Sequence, residues 1–130
     1  MTIEAGTEGF HELELDFAKV GTGFAKEVEK VTGKGAFNIK KQWKGLWSGH
    51  PHIPMLPRAI TYDLHGKATE ADAEIGPDKE KRQGALGNVI EFGTENNAPI
   101  PGGLPSLAAE EPRYVQALAD LAEEAISGRL

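Results

Sequence analysis

The side chains that could do chemistry are few, and two closely spaced histidines are the first candidates. His50 and His52 flank Pro51 in a stretch with two further prolines. Imidazole is a common zinc ligand, but a zinc site needs three or four ligands and this chain has no cysteine to complete a set. We therefore expect no metal here, with both histidines structural or solvated. A small metal-dependent enzyme that uses them together with nearby carboxylates is the chemical alternative.

Nothing else in the sequence has the spacing of a catalytic motif. His11 and His65 stand alone, with no adjacent aspartate or serine to form a catalytic pair, and no Gly-x-Ser-x-Gly elbow occurs. The tripeptide Gly33-Lys34-Gly35 lacks the spacing of a phosphate-binding loop and falls inside a helical pattern. We predict no catalytic residue and no cofactor, so the chain is not expected to be an enzyme.

Carboxylates occur in two settings. Glu70, Asp72 and Glu74 alternate along a predicted strand, where a divalent cation is conceivable, but the solvated side of a hairpin is the commoner reason for this pattern. Glu91 instead lies among large apolar residues, and a buried carboxylate needs a partner. A salt bridge to a nearby base would supply one, within or between chains. The candidate bases are Arg58, Lys40 and Arg82.

Two tryptophans four residues apart lie on one face of a predicted helix. Trp43 and Trp47 could stack on nucleic-acid bases if the surrounding lysines met a single strand. They also continue an apolar stripe that begins at Phe24, which is typical of core or of a subunit contact. We expect the second arrangement. The residues assigned to the core or a subunit interface are Ile39, Trp43, Trp47, Leu118 and Leu121.

The hydrophobic periodicity predicts the elements that hold these residues. Spacings of three and four predict a short helix over residues 10–20 and a long one over residues 24–47, weakened by two glycines. A strand over residues 59–64, a turn at His65-Gly66 and a returning strand over residues 67–75 predict a β-hairpin. Residues 78–83 read as a loop. Residues 86–92 fit either a strand or a helical turn.

The last part of the chain predicts a proline-rich loop over residues 96–105 and then a helix that begins near Pro112 and stops at Gly128. The expected fold class is α+β, with a long N-terminal helix and a C-terminal helix packed on a small antiparallel sheet. We expect residues 1–130 to form one domain, with residues 1–9 as a flexible N-terminal segment.

The charge distribution bears on the partners. A net charge of −6 argues against a surface that grips DNA or an anionic membrane along its whole extent. No membrane span or secretory signal is recognisable, so we expect a soluble intracellular protein. Residues 1–16 contain acids but no base, residues 30–62 contain bases but no acid, and the C-terminal part is acidic again. These segments are either solvated faces or surfaces that pair within a chain or between copies.

Several motifs in this order resemble a known family. The sequence GALGNVIEFGT at residues 84–94 is followed by NAPIP at 97–101 and LPSLA at 104–108. With the Trp43 and Trp47 helix and the sequence AEIGP at 73–77, this pattern resembles the head–tail joining family of long-tailed bacteriophages, in the form found in phages of actinobacteria. The resemblance covers about residues 24–126. It departs from the family at Pro101-Gly102-Gly103-Leu104, where members usually have Pro-Phe or Pro-His-Leu.

The resemblance implies a structural virion protein, similar to tail terminators. Such proteins form a ring, usually a hexamer, between the tail tube and the head-closure or connector protein, and double-stranded genome DNA passes through its channel without sequence-specific contact. The implied location is the neck of the virion, after assembly in the cytoplasm of the bacterial host. The alternative is a non-virion tail-assembly factor or small acidic adaptor that leaves before maturation.

The resemblance also implies roles for individual residues. The family motif corresponds to Glu91, Phe92, Gly93 and Thr94. We expect the following loop to dock a partner, because loops on a rigid scaffold commonly make such contacts. Together with the exposed hairpin it would face the axial partners, while the last helix and the tryptophan helix would form the core and the lateral contact. The predicted docking residues are Asn97, Pro99, Ile100, Pro101, Gly102, Gly103, Leu104 and Pro105.

Overall fold

A computed structural model describes residues 2–6, 22–66 and 70–128. The described residues form an α+β fold with two long helices and a small antiparallel sheet, as the hydrophobic pattern predicts; the first long helix packs on one face of the sheet and the C-terminal helix packs against the first. In chain order the elements are β1 (Thr2–Gly6), α1 (Thr22–Trp47), α2 (Leu56–Ala59), β2 (Ile60–Gly66), β3 (Glu70–Pro77), a 3₁₀ turn (Gly84–Leu86), α3 (Gly87–Phe92) and α4 (Gly103–Ile126).

The predicted hairpin supplies two of the three strands. In β3 the alternating Ala71, Ala73 and Ile75 are buried while the carboxylates between them are not, so one face of the sheet meets the helices and the other meets water. The predicted turn at His65-Gly66 is wrong, because both residues belong to β2 and pair with Asp72 and Ala71. The connection falls within residues 67–69, which lie outside the described residues, as does the predicted helix over residues 10–20.

The third strand comes from the segment that we expected to be flexible. Residues 2–6 form β1, which pairs antiparallel with β3 from Thr2 opposite Glu74 to Gly6 opposite Glu70. The sheet order is therefore β1-β3-β2, with β3 in the centre. Pairing with β1 satisfies backbone groups that would otherwise be exposed along the outer edge of β3.

Helix α1 lies on the sheet, and α4 packs against α1 in the antiparallel direction. Near the middle of α1, the Thr32 and Tyr114 hydroxyls are 2.8 Å apart, and further along the Asn38 amide donates to Glu110 at 3.0 Å. Gly33 allows close packing against the sheet, since a Cβ there would lie 3.3 Å from Leu64. The buried hydrophobic core among the described residues is formed by Phe24, Val28, Ala36, Ile39, Trp43, Trp47, Ile53, Leu56, Ala59, Ile60, Ala71, Ala73, Ile75, Tyr114, Leu121 and Ala125.

Two features of the C-terminal half differ from the prediction or complete it. The ambiguous residues 86–92 are helical and form the end of the 3₁₀ turn and α3. The final helix begins at Gly103 rather than near Pro112, which lies inside α4. Proline removes one intrahelical hydrogen bond to the carbonyl of Ala108, but both residues are exposed, so water can replace that bond. The early start of α4 has a specific cause in the residues around Glu91.

Candidate partner-docking site

The carboxylate of Glu91 caps the N-terminus of α4. Gly102 N–H donates to both carboxylate oxygens, at 3.1 Å to Oε1 and 3.0 Å to Oε2, and Gly103 N–H donates to Oε1 at 2.9 Å. The first amides of a helix lack intrahelical acceptors and carry a partial positive charge, so a buried carboxylate is well placed there. Pro105 has no N–H, and Leu104 is exposed to water. This arrangement, which we call the Glu91 clasp, accounts for the first donors of α4.

Within the described residues, the predicted salt bridge of Glu91 to a base of its own chain is therefore wrong; a bridge between copies stays a prediction. The partners of Glu91 are backbone amides 11 and 12 residues further along the chain, rather than Arg58, Lys40 or Arg82. Because every residue except proline has an N–H, a sequence gives no direct signal for such a donor. The only available hint was the pair Gly102-Gly103 before Leu104-Pro105, a small Ncap residue followed by a proline in the first helical turn.

Gly93 ends α3 and turns the chain into the loop. Its N–H donates to the carbonyl of Val89 at 2.8 Å, and its φ is +74°, a conformation that glycine adopts without steric cost. A Cβ at this position would lie 2.8 Å from the Asn97 carbonyl oxygen and 2.8 Å from Pro99 N. Both the backbone conformation and the lack of space therefore require glycine.

The loop over residues 93–102 is held along its length. Thr94 and Asn97 exchange backbone hydrogen bonds of 2.9 and 3.3 Å, and the Asn97 amide donates to the Thr94 hydroxyl at 3.2 Å. Ile100 N–H donates to the Ile90 carbonyl at 2.7 Å, and the Ile100 carbonyl accepts from the Trp47 indole at 2.8 Å. The proline-rich segment is thus tied to α3 on one side and to α1 on the other.

The tryptophan pair belongs to the core. Trp43 and Trp47 are 4% and 0% exposed, which leaves no face free for a nucleic-acid base. Their rings meet edge to face, with centroids 5.4 Å apart and an interplanar angle of 78°. Gly102 packs directly on them, since a Cβ there would lie 2.5 Å from Trp43 Cδ1. Of the other residues assigned to the core or an interface, Ile39 and Leu121 are buried and Leu118 is partly buried against the core.

The predicted docking residues divide into an exposed and a buried group. Gly102 and Gly103 are buried and bonded to Glu91, so they cannot serve as contact residues, and Ile100 is only partly exposed. Leu104 and Pro105 are exposed but belong to the first turn of α4 rather than to the loop. The remaining exposed residues of the predicted set are Asn97, Pro99 and Pro101.

Phe92 is the motif residue for which the described structure shows no internal role. Glu91 caps α4, Gly93 ends α3, and Thr94 closes the turn with Asn97. The Phe92 ring, in contrast, is 67% exposed. Leu104, next to the buried Gly103, is 56% exposed. Isolated exposed apolar side chains are common, but an aromatic ring beside a rigid loop is the side-chain type found at the centre of protein interfaces.

Three lysines form a positively charged cluster, two of them on α1 and one in the segment after β3. The pKa of Lys44 is lowered, first by burial and then by repulsion from Lys40 and Lys81. Lys40 Nζ lies 5.6 Å from the centre of the Tyr62 ring, a favourable cation–π geometry. Within the described ranges, none of the three forms an ion pair with a carboxylate. We call Lys40, Lys44 and Lys81 the lysine cluster.

Two buried hydroxyls and the Glu110 carboxylate hold α4 against α1, and none of them was predicted from the sequence. Burial raises the pKa of Tyr114 above its usual 10.0, and the hydrogen bond with Thr32 opposes that shift. Glu110 is 7% exposed and accepts from Asn38, with Arg113 Nη1 3.9 Å away. These polar residues lie on the buried side of α4. The spacing of apolar residues in the sequence therefore does not reveal that they are buried.

The histidine and strand-carboxylate candidates are not brought together. His50 and His52 lie in the turns between α1 and α2, and in residues 2–6, 22–66 and 70–128 no three side chains of the metal-binding types are grouped closely enough to hold an ion. Over the same ranges, no helix has the length and apolar character needed to cross a membrane.

Comparisons with protein-family models, with curated proteins and with solved structures return no match to this chain.

Proposed function

We propose that this chain is a structural protein of the head–tail junction of a long-tailed bacteriophage. In this proposal copies of the chain form a ring, with six as the expected number, that completes the tail tube and joins it to the head-closure or connector protein. Genome DNA passes through the channel, and the ring needs no catalytic group or cofactor. The protein would be assembled in the cytoplasm of the host and retained in the virion.

The observation that carries the proposal is the Glu91 clasp with its attached loop. The resemblance to the joining family rests on Glu91, Phe92, Gly93 and Thr94 and on the loop that follows. Three of these four residues act on the chain itself: they end α3, close a turn and start α4. The exposed Phe92 remains for a partner. A loop pinned at both ends can bind with little loss of conformational entropy, which suits permanent docking.

The net charge supports the same proposal. Each copy has a formal charge of −6, so a ring of copies is strongly acidic. An acidic channel repels phosphates and lets DNA slide rather than bind. The basic side chains would then be needed for contacts other than those with DNA.

The proposal is tested by deleting the gene from a phage or prophage that encodes this chain and examining the lysate by electron microscopy. We expect DNA-filled heads and separate tails, with joined particles restored when the wild-type gene is supplied in trans. Intact infectious particles without the protein would contradict the proposal. Absence of assembled tails would instead favour the tail-assembly factor.

The docking role of Phe92 is tested by complementing the deletion with Phe92→Ser. Because the ring is mostly exposed, we expect a free energy of unfolding within about 0.5 kcal/mol of wild type but few joined particles. Phe37→Ser is the matched control, since Phe37 on α1 is also exposed, at 46%, and lies outside the motif. Equal joining by both variants would show that Phe92 does not dock a partner.

A further inference from the structure

Helix α4 has a second apolar face in addition to the one that packs in the core. Leu104, Ala108, Pro112, Val115 and Ala119 follow one another in steps of three or four residues on one side of the helix, and Ile126 lies on the same side two turns further on. Every one of them is exposed, with Leu104 at 56%, Val115 at 57% and Ile126 at 56%. Ala122, between Ala119 and Ile126, is partly buried against the core. The buried residues Gly103, Glu110, Tyr114, Leu121 and Ala125 lie on another side. We call the exposed row the α4 stripe.

The α4 stripe extends along most of the helix. From residue 104 to residue 126 it spans about 33 Å of helix. A surface helix normally has polar residues opposite its core-facing side, so a second apolar row is the pattern of a helix with two packing partners. Within the described residues, α4 packs against α1, which lies on the first side.

Exposed acids border the stripe. Glu111 and Glu123 flank it on either side and are both exposed. Glu123 and Glu124 lie near the C-terminal end of α4, where the helix dipole disfavours negative charge and where no basic residue occurs in the last turn. A positively charged surface placed against this side of α4 would relieve that repulsion.

A complementary surface exists elsewhere on the same molecule. In the lysine cluster, Lys40 and Lys44 lie one helical turn apart on α1, and the positive charges of Lys40 and Lys81 both act on Lys44. After Lys81 the chain turns, with the carbonyl of Lys81 accepting from Gly84 N–H, and the next large apolar side chains, Leu86 and Val89, are 43% and 42% exposed. The lysine cluster with the exposed Leu86 and Val89 offers positive charge and apolar side chains, whereas the apolar α4 stripe is bordered by acids. Opposite charge around two apolar surfaces is the usual form of a specific protein contact.

We propose that the α4 stripe of one copy packs against the lysine cluster with Leu86 and Val89 of a second copy. The two surfaces are different, so the contact is head to tail, and repeating it produces a closed ring or an open filament. The inference rests on the proposed function, in which copies form a ring, and it names the surfaces that meet. Leu86 and Val89 then serve the neighbour, while Phe92 and the loop remain for the axial partner.

The first test compares two identical substitutions on one helix. Ala119 lies in the stripe and Ala109 lies outside it, and both are exposed. We expect the wild-type chain to self-associate in sedimentation experiments at low salt and concentrations up to about 1 mM. Ala119→Asp should weaken association at least tenfold and Ala109→Asp should leave it unchanged, with circular dichroism confirming equal helix content. A monomeric wild type, or equal effects of both variants, would overturn the proposal.

The second test exchanges the charges. Lys44→Glu with Lys81→Glu, or Glu111→Lys with Glu123→Lys, should each abolish association, and a 1:1 mixture of the two proteins should restore a hetero-association. The wild-type contact should weaken when salt is raised from roughly 50 to 500 mM. A mixture that stays monomeric would contradict the pairing. Loss of binding to duplex DNA with unchanged self-association would assign the lysine cluster to nucleic acid and also overturn it.

These outcomes are separable from the fate of the proposed function. If the gene deletion leaves heads and tails unjoined but the exchanged charges have no effect on association, the function stands and the surfaces are wrong. If the charges behave as expected but the deletion leaves intact particles, the contact between copies stands and the junction role is wrong.

Discussion

Replacing Glu91 by alanine removes the carboxylate that starts α4. Gly102 N–H and Gly103 N–H, both buried, would lose their acceptor. A buried donor left unpaired costs about 1–3 kcal/mol, and the lost interaction between charge and helix dipole adds up to about 2 kcal/mol. We expect the free energy of unfolding to fall by about 3–4 kcal/mol in total. For a chain of 130 residues this corresponds to a melting temperature lower by roughly 12–16 °C.

A graded pair of variants makes this prediction specific. Glu91→Gln keeps one carbonyl acceptor but loses the charge, so we expect a smaller loss of about 1–2 kcal/mol. Glu95→Ala is the matched control, because Glu95 is exposed in the neighbouring turn and should change stability by less than about 0.5 kcal/mol.

The assay is chemical unfolding followed by circular dichroism, with hydrogen exchange of the Gly103, Leu104 and Ser106 amides as a local probe. In Glu91→Ala these amides should exchange faster relative to the core of α1. If Glu91→Ala melts like wild type, or if Glu95→Ala is equally damaging, the reasoning about the clasp is refuted.

Three further perturbations test the surrounding contacts. Gly93→Ala should lower the free energy of unfolding, measured with urea, by about 2–3 kcal/mol, because position 93 has a positive φ and lies close to Pro99. A decrease below about 0.5 kcal/mol would contradict this. Trp47→Phe should lower the free energy of unfolding by about 1–3 kcal/mol in the same assay, since the partly buried carbonyl of Ile100 loses its donor; wild-type stability would exclude that role. Because burial raises the pKa of Tyr114, the folded state retains a proton that the unfolded chain releases, so stability should fall as the pH rises above about 10. In Tyr114→Phe the free energy of unfolding should depend less on pH over that range than in the wild type. An equal pH dependence in the two proteins would contradict this prediction.

Short-range periodicity was enough to predict the main elements of the fold. The apolar row from Phe24 to Trp47 extends through the whole of α1 and outweighs the cost of Gly33. In β3 the alternation at Ala71, Ala73 and Ile75 identified the buried face correctly. Such patterns are reliable because each element's own residues determine which side is buried.

Contacts between distant residues explain what the sequence did not predict. The start of α4 depends on a carboxylate 12 residues before Gly103, so the local signal at Pro112 was misleading. The strand β1 forms because β3 offers an edge about 70 residues away, where Ile3 pairs with Ala73. Phe92 and the α4 stripe could be found only after the buried face of each helix was known, since exposure is a property of the assembled structure.

The central claim is that this chain belongs to the junction between head and tail. The most direct measurement is electron microscopy of purified virions labelled with an antibody against the chain, with particles from the deletion strain as the control. Our account predicts label at the head–tail junction of complete particles. Unlabelled complete particles, with the protein recovered only in the soluble fraction of the lysate, would contradict it.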